Sequence, residues 1–210
     1  MEIIFDFLNL PRGSKVLVPT HTMLATASAI KMAGGIPIPV DIGYDNLIDP
    51  DAIEKLISEK TKAILVVHLY GYLADMDRIC AICDEHNIAL IEDTAWGCGG
   101  KFNNKFLGTW GDIGAFSFDF AKTITTGEGG MLLFKSKKKF ELAKAWHDHG
   151  HENNPKVPRW EDTRKSSGFN YRMMELQAAI GIAQLKKLPY IVTKQREKRD
   201  DIWESIKDIK

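Results

Sequence analysis

The feature that most constrains this chain is the alternation of short apolar runs with amphipathic stretches from residue 15 to residue 149. Residues 15–18 read as a strand, entered through the turn Pro11-Arg12-Gly13-Ser14. Residues 22–32 read as a helix that Gly34-Gly35 stops, and residues 36–40 as the next strand despite two prolines. Asp49-Pro50-Asp51 is a helix start with Pro50 near N1, and Ile53, Leu56 and Ile57 form its apolar face. Residues 62–67 are a nearly continuous apolar run, the mark of a strand buried on both faces. Residues 75–87 predict a helix and 88–91 a strand. Residues 113–118 and 131–134 are two further strands with no helix between them, and residues 140–149 are a helix. Strands alternating with helices predict a three-layer α/β/α domain around a mainly parallel sheet. Sheets of this kind bind ligands outside the carboxyl ends of their strands. Thr20, His21, His68, Tyr70 and Asp93 all follow strand ends and are expected to converge on one crevice.

Beyond residue 149 the pattern changes. Residues 149–168 are polar, carry glycine and proline, and read as a long loop of the kind that is functional or mobile. Helical rhythm returns over 173–188, and a charged helix follows Pro189 to residue 210. The expected division is a large domain over 1–188 and a helix over 189–210 leading toward a further domain.

The 28 basic and 28 acidic side chains cancel, which argues against a polyanion-binding surface and a nucleic-acid partner. Lys135, Lys137, Lys138 and Lys139 read as a solvated helix start, because apolar Phe140, Leu142 and Ala143 follow. No apolar run has membrane-spanning length, and Met1-Glu2-Ile3-Ile4-Phe5-Asp6 lacks a basic signal-peptide start. A cytoplasmic protein without a membrane partner is expected. Cys80, Cys83 and Cys98 make no disulfide framework. The C-x-x-C pair shares a helical rhythm with Ile79, Ile82 and His86 and reads as structural. His147, His149 and His151 alternate, but Gly150 interrupts them and no metal site is expected.

The chemistry centres on Lys122. An apolar strand leads to it, and Thr126-Gly127-Glu128-Gly129-Gly130 follows it. Upstream, the strand Ile88-Ala89-Leu90-Ile91 ends in the carboxylates Glu92 and Asp93. A turn-held lysine and a strand-end carboxylate suit pyridoxal 5'-phosphate: the amine forms a Schiff base with the aldehyde, and the carboxylate keeps the pyridine nitrogen protonated.

Further segments fall in a specific order. They are Pro19-Thr20-His21-Thr22, Val67-His68-Leu69-Tyr70-Gly71, Glu92-Asp93-Thr94-Ala95, Gly108-Thr109-Trp110-Gly111-Asp112, Ser117-Phe118, Lys122 with its glycine-rich turn, and Gly168-Phe169-Asn170-Tyr171-Arg172-Met173. This set resembles the DegT/DnrJ/EryC1/StrS family of sugar aminotransferases, over nearly the whole chain. The resemblance implies the large domain of a fold-type-I pyridoxal-phosphate transferase. It implies that Lys122 is the Schiff-base lysine and proton shuttle, that Asp93 pairs with the pyridine nitrogen, and that Ser117 hydrogen-bonds the cofactor phosphate. It implies that Asn170 reaches the phosphate of a neighbouring subunit's cofactor, so that a homodimer shares its active sites. The implied reaction moves an amino group, from L-glutamate, to a nucleotide-linked keto-sugar in surface-polysaccharide or amino-sugar biosynthesis. His68 reads as a crevice residue. Arg172 stands open between an anionic ligand and a structural salt bridge.

Two positions depart from the family pattern. Met23 stands where many members stack an aromatic residue on the cofactor ring, and a thioether packs on a ring face as well. Trp96 stands where many members carry a polar residue near the cofactor's 3-hydroxyl, and reads as shaping the substrate pocket. Members also begin with a phosphate-binding turn and its helix, whose end residues 1–10 resemble, and continue into a small C-terminal domain. The chain therefore reads as the central large-domain portion of a longer enzyme. The alternatives are a non-catalytic dimerising or regulatory relative, and a sugar dehydratase of the same family. The dehydratases replace the Schiff-base lysine with histidine, so Lys122 argues against that branch.

Overall fold

The computed structural model of the chain describes residue 4, residues 10–164 and residues 166–209. The helix end expected over residues 1–10 lies almost wholly outside these residues. Six strands form one sheet in the order β2-β1-β3-β4-β7-β8. They are β1 (Lys15–Pro19), β2 (Ile36–Val40), β3 (Thr61–Val67), β4 (Ala89–Asp93), β7 (Ile113–Ser117) and β8 (Gly130–Phe134). All neighbours are parallel except β7 and β8, which pair antiparallel. Helices α1 (Leu24–Met32), α2 (Pro50–Leu56), α3 (Met76–His86) and α4 (Lys137–Trp146) connect or flank these strands. The three-layer α/β architecture predicted from the alternation is the observed one.

The two-residue period of the strands builds two cores from one sequence. Val16, Val18, Ala63, Leu65, Val67 and Ile91 pack on one face with Ala29 and Ile30 of α1. Leu17, Ile64, Val66 and Leu90 pack on the other with Ile53 of α2 and with Met76, Ile79 and Ile82 of α3. Burying each such aliphatic side chain stabilises the fold by about 1.5–3 kcal/mol. A strand covered on both faces has no polar positions, which is why 62–67 reads as a continuous apolar run.

Pro37 and Pro39 lie in β2, the edge strand. The Ile36 N–H donates inward to the Ser14 carbonyl at 2.9 Å, so the alternate positions 37 and 39 point to the open edge, where a missing N–H costs no ladder bond. Asp49 caps α2 through the Asp51 N–H at 2.9 Å, with Pro50 in its first turn. Asp75 caps α3, and Asn87 ends it in a left-handed conformation. Burial pushes the Cys83 thiol in α3 up to about 12, so it is inert at neutral pH. Ser136 caps α4, and Lys137, Lys138 and Lys139 begin that helix as a solvated start.

Two elements differ from the sequence expectation. A small hairpin, β5 (Lys101–Phe102) with β6 (Lys105–Phe106), turns through Asn103 and Asn104 at φ 44° and 61°. Both turn residues are left-handed, the geometry that matches the twist of a two-residue hairpin. The two helical segments on either side of Pro189 are one 32-residue helix, α5 (Glu175–Ile206). Proline removes one internal hydrogen bond but does not oblige the helix to stop. Thr193 Oγ1 donates to the Pro189 carbonyl at 2.9 Å one turn later. The boundary expected at 188/189 falls inside this helix.

Candidate active site

A cleft of about 1100 Å³ opens at the carboxyl ends of β3, β4 and β7. Met23, Asp93, Trp96, Ser117 and Lys122 all line it, together with Thr22, Thr26, Val67 and Ala115. Asn170 does not line it. Its side chain is exposed and its Oδ1 accepts from the Arg172 N–H at 3.4 Å, while its backbone forms an antiparallel bridge with Asp148.

Asp93 is the last residue of β4 and is 8% exposed. Its Oδ2 accepts from Thr26 Oγ1 of α1 at 3.2 Å, and its Oδ1 accepts from the Ala95 N–H at 3.0 Å. The strand end itself is stitched to its neighbours. The His68 N–H donates to the Asp93 carbonyl at 3.1 Å, and the Thr94 N–H to Ala115 O at 2.8 Å. Burial with two neutral donors gives a carboxylate fixed in direction and still able to accept a proton-bearing partner.

The Lys122 turn is set by Asp119 rather than by glycine alone. Asp119 Oδ1 accepts from the Ala121 N–H at 2.9 Å, its carbonyl accepts from the Lys122 N–H at 3.1 Å, and its own N–H donates to Ser117 Oγ at 3.4 Å. Further along, Thr126 Oγ1 donates to the Glu128 carbonyl at 2.7 Å, and Gln177 Nε2 of α5 donates to the same carbonyl at 2.7 Å. The Lys122 loop is thus tied to the start of α5. Lys122 Nζ lies 4.6 Å over the Trp96 ring.

Beneath the cleft Glu92 points to the opposite face from Asp93, as the strand period requires. It is fully buried. It accepts from the N–H groups of Gly108, Trp110 and Gly111, each at 2.7 Å, and pairs with His68 Nε2 at 3.4 Å. Burial would raise its carboxyl. The His68 hydrogen bond and the Gly111 and Gly108 N–H groups outweigh that and hold it below its usual value. His68 Nδ1 accepts from the Ala74 N–H at 3.3 Å, so the imidazole expected in the crevice is a buried strut. Of the five strand-end residues expected to converge, Asp93 lines the cleft; Thr20, His21, His68 and Tyr70 do not.

The segment after α4 is an ordered loop built on two carboxylates. Asp148 takes a fork from Arg159, at 2.8 and 2.5 Å, and also binds Arg172. The Arg159 hydrogen bond outweighs burial, and with Arg172 it holds the Asp148 carboxyl far below the usual range. Arg172 is a salt-bridge residue here. Asp162 accepts from the Asn153 and Asn154 N–H groups at 2.8 and 3.2 Å and pairs with His151 at 3.2 Å. His147 binds the Lys144 carbonyl. No group of three His, Cys, Asp or Glu side chains poised for a metal occurs among the described residues.

Thr26, Asp119 and Gln177 were not singled out from sequence, and Glu92 was named only as a strand-end carboxylate with no role. Their partners lie far along the chain or on the backbone, and a polar residue between apolar ones is the whole local signal.

The residues present fit pyridoxal phosphate by the chemistry of the donor set. The cleft offers a buried carboxylate for a ring nitrogen, apolar Val67 and Ala115 beside it, an amine, and the hydroxyls of Thr22 and Ser117.

Comparison with known proteins agrees with that chemistry. The model of the DegT/DnrJ/EryC1/StrS aminotransferase family matches residues 1–210. The GDP-perosamine synthase of Escherichia coli O157:H7 is 40% identical over 194 residues, covering 92% of this chain and 52% of that protein. The GDP-perosamine synthase of Vibrio cholerae is 35% identical over 198 residues, covering 94% of this chain and 53% of that protein. The chain spans about half the length of these curated relatives. Among solved structures, Helicobacter pylori PseC, an aminotransferase of pseudoaminic acid biosynthesis, superposes with a TM-score of 0.91 at 30% identity, over 98% of this chain and 56% of that one. An E. coli GDP-4-keto-6-deoxy-D-mannose-3-dehydratase with bound hydrated PLP gives 0.91 at 30% identity, over 99% and 58%.

Proposed function

This chain belongs to the DegT/DnrJ/EryC1/StrS aminotransferase family, and from that premise we propose that the protein moves an amino group from L-glutamate to a nucleotide-linked keto-sugar, with pyridoxal phosphate as cofactor. The observation that carries this reading is one cleft lined by Lys122, Asp93 and Ser117 together. When bound, pyridoxal phosphate supplies an electrophilic aldehyde and an electron-withdrawing ring. Lys122 Nζ would hold the cofactor through its aldehyde, and as the free amine beside it would move the proton of the transfer as base and then acid. Asp93, held by Thr26 and the Ala95 N–H, keeps the proton on the ring nitrogen. Ser117 Oγ would donate to the phosphate, and Met23 would pack against the ring face. Asn170 serves the phosphate of a neighbouring subunit in a homodimer.

The perosamine synthases among the relatives support a nucleotide-linked acceptor and a role in amino-sugar or surface-polysaccharide synthesis. Residues 1–188 form the cofactor-binding large domain, and 189–210 lead out of it. Among the described residues no helix is long and apolar enough to cross a membrane, which supports action in the cytoplasm. A dehydratase is among the similar structures. The lysine at position 122 favours amino transfer over that reaction, because the family's dehydratases carry histidine there.

The test uses the full-length protein with added pyridoxal phosphate. Borohydride reduction followed by peptide mapping should find the label on Lys122, and Lys122→Ala should abolish both label and turnover. Turnover retained in that variant, or label at another lysine, overturns the reading.

A further inference from the structure

Trp96 is the aromatic side chain that meets Lys122. The lysine Nζ stands 4.6 Å from the indole centroid, within the range at which an ammonium is drawn to the negative face of a ring. Both residues line the cleft. Met23, where the family resemblance leads one to look for an aromatic partner, is a thioether that is 72% exposed.

The indole is itself held on two sides. Asp93 Oδ1 accepts from the Ala95 N–H at 3.0 Å, and the Gly97 N–H donates to the Thr94 carbonyl at 3.0 Å, so the turn carrying Trp96 is fixed by the same carboxylate that faces the cleft. A Cβ at position 97 would stand 3.0 Å from Leu107 and 3.2 Å from His68, so this backbone packs tightly on what lies beneath it. From the other side Tyr70 meets the Trp96 ring edge-on at 5.6 Å, and His21 meets Tyr70 at 5.7 Å. Tyr70 holds φ at 54°, a left-handed conformation uncommon for a tyrosine, in a turn closed by the Tyr72 N–H to Leu69 O bond at 2.9 Å. A non-glycine residue persists there only where its surroundings fix it. The β1 end, the β3 end and the β4 end therefore converge to orient one indole.

We propose that Trp96 is a positioning residue for Lys122: its ring face holds the lysine ammonium inside the cleft whenever that amine is not bonded to the cofactor. This rests on the proposed reading of Lys122 as the lysine that attaches pyridoxal phosphate. The side chain is then already beside the aldehyde when the cofactor enters; the ammonium gives up one proton to solvent, the neutral amine adds to the aldehyde carbon, and the aldehyde oxygen leaves as one water. A free lysine side chain has four rotatable bonds, and confining it before reaction removes part of the entropic cost of attachment.

The test compares Trp96→Leu and Trp96→Phe in the full-length protein. Two quantities are measured: the initial rate at which borohydride fixes pyridoxal phosphate to Lys122, and the dissociation constant of pyridoxamine phosphate, which enters the same site but cannot attach to the lysine. Trp96→Leu should slow attachment about two- to five-fold, with Trp96→Phe in between, as expected for a weaker or absent cation–π contact. The pyridoxamine phosphate constant should change by a smaller factor than the attachment rate in both. An equal loss in both quantities means that Trp96 grips the cofactor or the fold rather than the lysine, and overturns the proposal. An unchanged attachment rate overturns it as well. Failure of the underlying reading looks different, since the unaltered protein would then give no label on Lys122 at all.

Discussion

Glu92 shows how much of this site hangs on one buried side chain. Three backbone N–H groups and an imidazole converge on its carboxylate. Glu92→Ala leaves those N–H groups in a dry place without an acceptor, and should cost about 3–5 kcal/mol, read as a fall in the urea midpoint. The pH dependence follows from the direction of its shift. The donors hold the folded carboxyl below its unfolded value, so the stabilisation is complete above that value and is lost as pH falls through the folded one. Asp148 is shifted in the same direction by Arg159 and Arg172. Thermal stability should therefore decline below about pH 4, and Glu92→Gln should flatten that acid limb. A limb of unchanged steepness in the variant would show that other carboxylates govern it. Lys122 and Asp93 stood out in the sequence through the order of the segments around them, since a lone lysine before a glycine turn or a lone strand-end carboxylate is commonplace, and the fold brings both to one cleft. The role of Glu92 did not, because its partners at 108–111 become neighbours only when β4 pairs with β7.

At the scale of elements, β7 depends on a backbone approach that only glycine permits. A Cβ on Gly114 would stand 2.1 Å from the Gly108 carbonyl oxygen, which is backbone and cannot rotate away. Gly114→Ala should therefore force β7 away from the 108–111 loop and destabilise the fold by about 3 kcal/mol or more. A melting temperature within a degree or two of the parent's would refute this contact. The strands also illustrate what periodicity can and cannot reveal. β1, β3 and β4 announce themselves because two buried faces demand continuous apolar runs. The hairpin at 101–106 has strands of two residues each, too short for any period, and only Asn103-Asn104 marked its turn. Pro189 pointed to a break that α5 does not make, since a proline signals a lost hydrogen bond and not a stop.

For the whole molecule the telling relation is between Asn170 and the cleft. Asn170 is exposed and outside the lining of its own chain's cleft, while Lys122 and Ser117 are inside it. Apolar side chains stand uncovered at and near the cleft rim: Met23 is 72% exposed, Leu24 76% and Phe120 77%. Burying such a surface against a second copy would remove apolar area from water, and the proposed homodimer is one in which a second chain's Asn170 serves the cofactor phosphate. Complementation between two inactive variants tests this geometry. Lys122→Ala lacks the attaching amine, and Asn170→Ala lacks the amide proposed to act across the interface. In a mixed dimer one cleft combines the lysine of one protomer with the asparagine of the other and is intact. Unfolding and refolding the two variants together should thus restore labelling of Lys122 at low pyridoxal phosphate concentration, above the sum of the variants refolded apart. If Asn170 serves its own chain's cleft, no mixed dimer contains an intact site, and the mixture should label no better than its components.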